Sequence, residues 1–135
     1  MTQVLLAGAT GLVGGLTLSQ LLLDERVTRV VAPTRRPLPM THARLFNPVV
    51  DFDALPADAD WWRVDSVICA LGTTMREAGW RAAFRRVDHD YPVAIARHAL
   101  SGGALAYALN SATGADVASR FFYTRVKGEV ERDLE

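Results

Sequence analysis

A single cysteine, Cys69, excludes an intramolecular disulfide framework, so the fold rests on its core, and a reducing compartment suits it. Within the apolar run "SVICALG", Cys69 reads as a small buried side chain. Charge of one sign is also missing: 15 basic side chains face 15 acidic ones, so no overall field steers the chain to nucleic acid or an anionic membrane. Any anion must be held locally. Residues 4 to 23 are apolar, but "MTQ" supplies no positive leader and Gly, Thr, Ser and Gln interrupt the run. We therefore expect a soluble, cytoplasmic protein with neither nucleic acid nor membrane as partner. His42, His89 and His98 lack metal-ligand spacing, so no metal site is expected, and no G-x-S-x-G supports hydrolase chemistry. Asp88 and Asp90 flank His89, a pattern that a solvated helix start explains as well as chemistry does. Trp61, Trp62 and Trp80 read as packing or groove-lining residues rather than base-stacking ones.

What is present alternates. At 135 residues, half of them hydrophobic, the chain suits one domain spanning 1–135. "QVLLA" (3–7) reads as a strand buried on both faces, and Gly14, Leu18, Leu21 and Leu22 then fall on one face of a helix. "VTRVVA" (27–32) reads as a second strand. Pro33, Pro37, Pro39 and Pro48 follow, marking a connection that precedes a short third strand in "NPVVDF", ending near Asp51. "VDSVICALG" (64–72) gives a fourth strand, residues 80–100 a helix bent near Pro92, and "ALAYALN" (104–110) a fifth strand. Phe122, Val126, Val130 and Leu134 recur every fourth residue in a closing helix. This alternation predicts an α/β fold: a Rossmann-type doubly wound parallel sheet, strand order 3-2-1-4-5.

Gly8, Gly11 and Gly14 form G-x-x-G-x-x-G between the first strand and the first helix. Such a turn lets a pyrophosphate approach the backbone and meet the N–H groups of a helix N-terminus. Glycines also serve tight turns and close packing, so the context of strand and helix carries the reading. About twenty residues on, where NAD-binding versions place a carboxylate, the sequence has "APTRRP". Arg35 and Arg36 suit a 2′-phosphate, which favours NADP(H) over NAD(H), although a pair of arginines also solvates a loop. Asp51 and Phe52 are candidates to border the adenine, and Gly72, Thr73 and Thr74 end the fourth strand where the cofactor would pass; the alternatives are a cap on a helix starting near Ala54 for Asp51 and an ordinary turn for "GTT".

Tyr123 and Lys127, at i and i+4, share one side of a helix. A lysine charge lowers the proton affinity of a neighbouring tyrosine, whose free pKa is about 10. Ser111, after the fifth strand, is placed to hydrogen-bond a carbonyl or alcohol. Alone, Y-x-x-x-K is common on solvated helices; with the glycine loop and the arginines it carries more. These residues resemble the short-chain dehydrogenase/reductase superfamily, which uses a serine, a tyrosine and a lysine in this order. "GATGLVG", "ALGTTMREAG", "FRRVDHDYP" and "FFYTRVKGEVE" are similar to its atypical branch, which includes the Tat-interacting-protein oxidoreductases and bacterial nucleoside-diphosphate-sugar epimerase-like proteins.

The resemblance, from Val4 to about Glu131, implies Ser111, Tyr123 and Lys127 as catalytic residues. The cofactor-binding candidates are Gly8, Thr10, Gly11, Leu12, Val13, Gly14, Arg35, Arg36, Asp51, Phe52, Leu71, Gly72, Thr73 and Thr74, together with Tyr123 and Lys127. It departs from the family in having Ala112 after Ser111 where many members have a second serine, and Asp88 where extended members have asparagine. Similar proteins also continue well past the lysine helix, so a chain truncated at the C-terminus is expected. The expected function is an NADP(H)-dependent oxidoreductase acting on a small-molecule carbonyl or alcohol, with a homodimer as candidate assembly. Two alternatives stand beside it: a non-catalytic NADP(H)-binding regulatory module that recruits a protein partner, and a sugar-nucleotide epimerase or dehydratase.

Overall fold

Strand β1, Thr2–Ala7, buries its last four residues. Leu5 and Ala7 join one apolar cluster and Val4 and Leu6 another, as the two-residue period of a strand requires. A strand covered on both faces needs a helical layer on each. Helix α1, Leu12–Leu23, supplies Leu18 and Leu22 to the Val4 side; helix α3, Tyr91–Ser101, supplies Ile95 and Ala99 to the Leu5 side. Each fully buried aliphatic side chain contributes roughly 1.5–3 kcal/mol. This computed structural model describes residues 2–72, 79–110 and 115–134.

The sheet is completed by β2 (Val27–Val31), β3 (Leu45–Phe46), β4 (Ser66–Cys69) and β5 (Ala106–Leu109). All pairings are parallel and the order is β3-β2-β1-β4-β5, as expected. Helix α4, Phe122–Asp133, follows β5 and buries Val126 and Val130 from the predicted apolar face.

The helix expected over 80–100 comprises α2 (Arg81–Arg85), a π-helical turn (Arg86–Asp90) and α3. The Tyr91 N–H donates to the Arg86 carbonyl, five residues back. Pro92 has no N–H to donate to the Asp88 carbonyl in an α-helical register, and the wider turn lies directly before it.

The third strand is corrected. Its regular pairing is at Leu45–Phe46, upstream of "NPVVDF", with a separate bridge between Thr34 and Val49. Ala32 N donates to Phe46 O and Thr34 N to Pro48 O, while Val50 N donates to Thr34 O. A donor at position 48 would serve Ala32 O, but proline has none. The Asn47 side-chain amide takes its place, donating to Ala32 O at 2.6 Å and to Thr34 Oγ1 at 2.8 Å, while its Oδ1 accepts from Leu38 N at 2.8 Å.

Because Asn47 stands in for a missing ladder bond, Asn47→Ala leaves Ala32 O without that donor. A stability loss of roughly 1–3 kcal/mol is expected. Urea unfolding checks this, and a midpoint equal to that of the parent chain would refute it.

Candidate functional site

A cleft of about 690 Å³ opens at the carboxyl ends of β1, β2 and β4, beside the point where the strand order reverses. Its floor is backbone. Gly8 has φ +87°, and a Cβ there would lie 2.5 Å from the Ala70 carbonyl carbon. A Cβ on Gly14 would lie 1.7 Å from the Gly8 carbonyl oxygen, so α1 seats against the loop only without a side chain. Gly11 N–H donates to Gly8 O at 3.1 Å, and Gly11 is the N-cap of α1 with no side-chain cap. First-turn N–H groups of α1 are thus left to an incoming acceptor at the positive end of the helix dipole. This cradle fits a pyrophosphate.

Of the loop candidates, Gly8, Thr10 and Gly11 line the cleft. Gly14 is buried beneath it, and the Leu12 and Val13 side chains are exposed outside it. Leu71 and Gly72 line it from the end of β4; Thr73 and Thr74 lie outside the described residues.

Arg35 and Arg36 line the same cleft, both exposed. Their loop is tied down: Thr34 Oγ1 donates to Arg36 O at 2.6 Å, and Asn47 holds Thr34 in turn. Asn47 was missed by sequence reasoning, although a proline inside a predicted strand signals that some other donor must serve the ladder. Phe52 is buried, lines the cleft and stacks on Tyr91 at 5.4 Å between ring centroids. Asp51 is exposed and does not line the cleft. Its Oδ1 accepts from Asp53 N at 2.9 Å within a turn, and among the described residues no helix starts near Ala54 for it to cap.

Tyr123 and Lys127 lie together on α4, with the Lys127 Nζ 5.7 Å from the Tyr123 ring centroid. Phe84 of α2 also packs on Tyr123, with ring centroids 5.3 Å apart. Lys127 is 5% exposed and donates to the carboxylate of Asp88, itself 1% exposed. Asp88 is therefore no part of a solvated helix start. A Cβ on Gly72 would lie 3.4 Å from Asp88 Oδ1 and 3.7 Å from Lys127 Nζ. The pair sits against the backbone that edges the cleft. Ser111 lies outside the described residues; its neighbour Asn110 donates its N–H to Cys69 O at 2.9 Å.

His89 closes the far end of this arrangement, with Nδ1 2.7 Å from Asp90 Oδ1 and Nε2 2.6 Å from Asp133 Oδ2. Arg132, with His89 as a smaller contributor, holds the Asp133 carboxyl down at about 2. Cys69 is buried as expected, and burial raises its thiol pKa. Trp62 is buried against His98, whereas Trp80 is exposed.

The comparisons agree with this geometry. "Protein HTATIP2" of Rattus norvegicus is 38% identical over 98% of this chain and 56% of its own length. "Protein fmp52, mitochondrial" of Emericella nidulans is 34% identical over the whole chain and 61% of its own length. The chain is a homologue of the HTATIP2 and FMP52 proteins. This bears out the resemblance to the atypical short-chain dehydrogenase/reductase branch. No family model matches the chain. Among solved structures, MoeE5 in complex with UDP-glucuronic acid and NAD superposes with a TM-score of 0.80 at 22% identity, over 98% of this chain and 48% of that one. UDP-glucuronic acid 4-epimerase from Bacillus cereus in complex with NAD gives 0.76 at 12% identity, over 97% and 50%. The fold is thus that of NAD(P)-binding Rossmann proteins, and the chain spans about half the length of the proteins it matches.

The expected cytoplasmic location is corrected, because several fungal relatives are named mitochondrial. A lone buried thiol and a balanced charge suit any reducing compartment and do not single out the cytoplasm.

Two substitutions test the packing of the site. Gly14→Ala should cost several kcal/mol of stability, because backbone cannot move aside for a methyl group. Gly11→Ala, whose Cβ would meet nothing closer than Gly8 O at 3.6 Å, should unfold like the parent. Equal thermal midpoints for these two variants would refute the packing argument. Asp88→Leu leaves a buried ammonium without its carboxylate and should cost roughly 3–5 kcal/mol; a variant as stable as the parent would show that the pair is dispensable.

Proposed function

We propose that the chain binds NADP(H) in this cleft and belongs to an oxidoreductase acting on a small-molecule carbonyl or alcohol. The observation that carries the reading is the placement of Lys127 and Tyr123. Gly72 lines the glycine-floored cleft, and the Lys127 ammonium lies against that residue with the tyrosine ring beside it.

Each residue has a role that its position supports. Backbone N–H groups of the loop and of the first turn of α1 take the pyrophosphate. Arg35 and Arg36 are exposed on the cleft and, among the described residues, form no ion pair, so their donors are available to a 2′-phosphate; this supports NADP(H) over NAD(H). A bound nicotinamide supplies the hydride donor or acceptor. The half-exposed Tyr123 hydroxyl exchanges a proton with the substrate oxygen, and Lys127 holds a ribose hydroxyl. Asp88 fixes the Lys127 head, which otherwise has four rotatable bonds in which to wander. Ser111 orients the substrate oxygen by the family resemblance.

The test is a titration of the chain with NADPH and, separately, NADH, followed by nicotinamide fluorescence. Saturable binding that prefers NADPH is expected, and Arg35→Asp should narrow or reverse that preference. Equal affinity for both dinucleotides in the parent chain would sink the NADP(H) assignment. Tyr123→Phe should bind NADPH as the parent does while turnover on a carbonyl panel falls at least a hundredfold. Undiminished turnover would remove Tyr123 from the chemistry. Binding without turnover in the parent would favour the regulatory module instead.

A further inference from the structure

A third guanidinium reaches the cofactor cleft. Arg86, on the π turn, lines it together with the neighbours Arg35 and Arg36, although it comes 50 residues later in the sequence. Its only ion-pair partner among the described residues is Asp53, with Nε 3.7 Å from Oδ1, and both side chains are about half exposed. At that distance the contact is a loose ion pair rather than a hydrogen bond, and exposed pairs of this kind are worth little. Tyr91 is shared between the two: burial first and the Asp53 carboxylate second raise its hydroxyl pKa, while the charge and hydrogen bonding of Arg86 lower it.

The electrostatics of the cleft are unbalanced. Three guanidinium groups face it while one carboxylate, shared between Arg86 and Tyr91, offsets them in part. A ligand phosphate of about −1.5 to −2 charge at neutral pH would complete the balance. Arginine suits this role because its planar fork can offer two N–H donors to phosphate oxygens at once, whereas Arg86 gives Asp53 only one long contact.

We propose that Arg86 is a third recognition residue for the 2′-phosphate of NADP(H), exchanging its loose contact with Asp53 for the phosphate beside Arg35 and Arg36 when the dinucleotide binds. This rests on the cofactor reading above and adds a residue that the end of β2 does not supply. Asp53 is then a competing acceptor, so its charge opposes NADPH binding instead of assisting it.

Two variants and two dinucleotides test the idea by fluorescence titration. Arg86→Gln should weaken NADPH about tenfold, the order expected for loss of one charge-assisted contact, while NADH affinity stays within about twofold. Asp53→Asn should tighten NADPH measurably and leave NADH alone. Loss of both dinucleotides by the same factor in Arg86→Gln would overturn the proposal and assign Arg86 to adenine stacking or to the fold. Unchanged NADPH affinity would overturn it as well. A parent chain that prefers NADPH while Arg86→Gln has no effect refutes this inference alone; a parent chain that binds neither dinucleotide refutes the underlying cofactor reading and this inference with it.

Discussion

Helix α1 passes so near the end of β1 that a methyl group on Gly14 would stand 1.7 Å from the Gly8 carbonyl oxygen. Most of the cleft follows from that approach. It points the uncapped first turn of α1 at the space above the sheet, and it lets the chain turn at Gly8 with a backbone conformation that L side chains rarely adopt. Gly8 in turn lies against Ala70 and Leu71, so the ends of β1 and β4 meet with no side chain between them. A dinucleotide lying there would touch backbone on either side. Larger residues at Gly8 or Gly14 would separate these segments before they altered any contact with a ligand.

The second constraint is the buried pair of Asp88 and Lys127. Neither charge could be taken out of water alone, and together they hold the π turn against α4. The other flank of α4 is fixed by Gly128, where a Cβ would lie 2.4 Å from the Asp116 carbonyl carbon, and by the bond from Asp116 N to Thr124 O at 3.0 Å. Held from both sides, α4 places Lys127 beside Gly72 at the end of β4, with Tyr123 one turn earlier on the same helix. His89, between Asp90 and Asp133, secures the same two elements at the far end of the helix.

The parts legible in the sequence depend on short-range periodicity. The glycine loop, the i and i+4 spacing of Tyr123 and Lys127 and the apolar stripe of α4 all follow from residues a few positions apart, and the strand order follows from the alternation of the elements that such patterns define. Three features escaped because their partners are distant. Asn47 serves atoms 9 to 15 residues away, and its role exists only because Pro48 lacks a donor. Asp88 finds Lys127 39 residues on, and a charged residue in a helix reads as solvent-facing. Yet Phe84, Asp88 and Ile95 share the buried face at spacings of four and seven, and a carboxylate interrupting such a stripe is a signal that its counter-charge is buried too. The third strand was displaced for a related reason: β propensity in "PVVDF" is genuine, but Pro48 breaks the ladder there.

Arg86 and Asp88 lie two residues apart in one π turn and serve different sides of it. Arg86 faces the cleft where the cofactor is proposed to lie, and Asp88 faces the interior and Lys127. A strand would point such residues the same way, whereas near a helical period residues two apart diverge by roughly half a turn. The segment between α2 and α3 thus places Arg86 on the face toward the cleft and Asp88, with its partner Lys127, on the face toward the interior. Pro92 keeps α3 from continuing the α-helical hydrogen-bond pattern back to the Asp88 carbonyl, and the bond from Tyr91 N–H to Arg86 O closes the wider turn instead. Two residues apart on a helical period, Arg86 and Asp88 let one short stretch of chain face the cleft on one side and the interior on the other, and the wider turn accommodates Pro92 without altering that divergence.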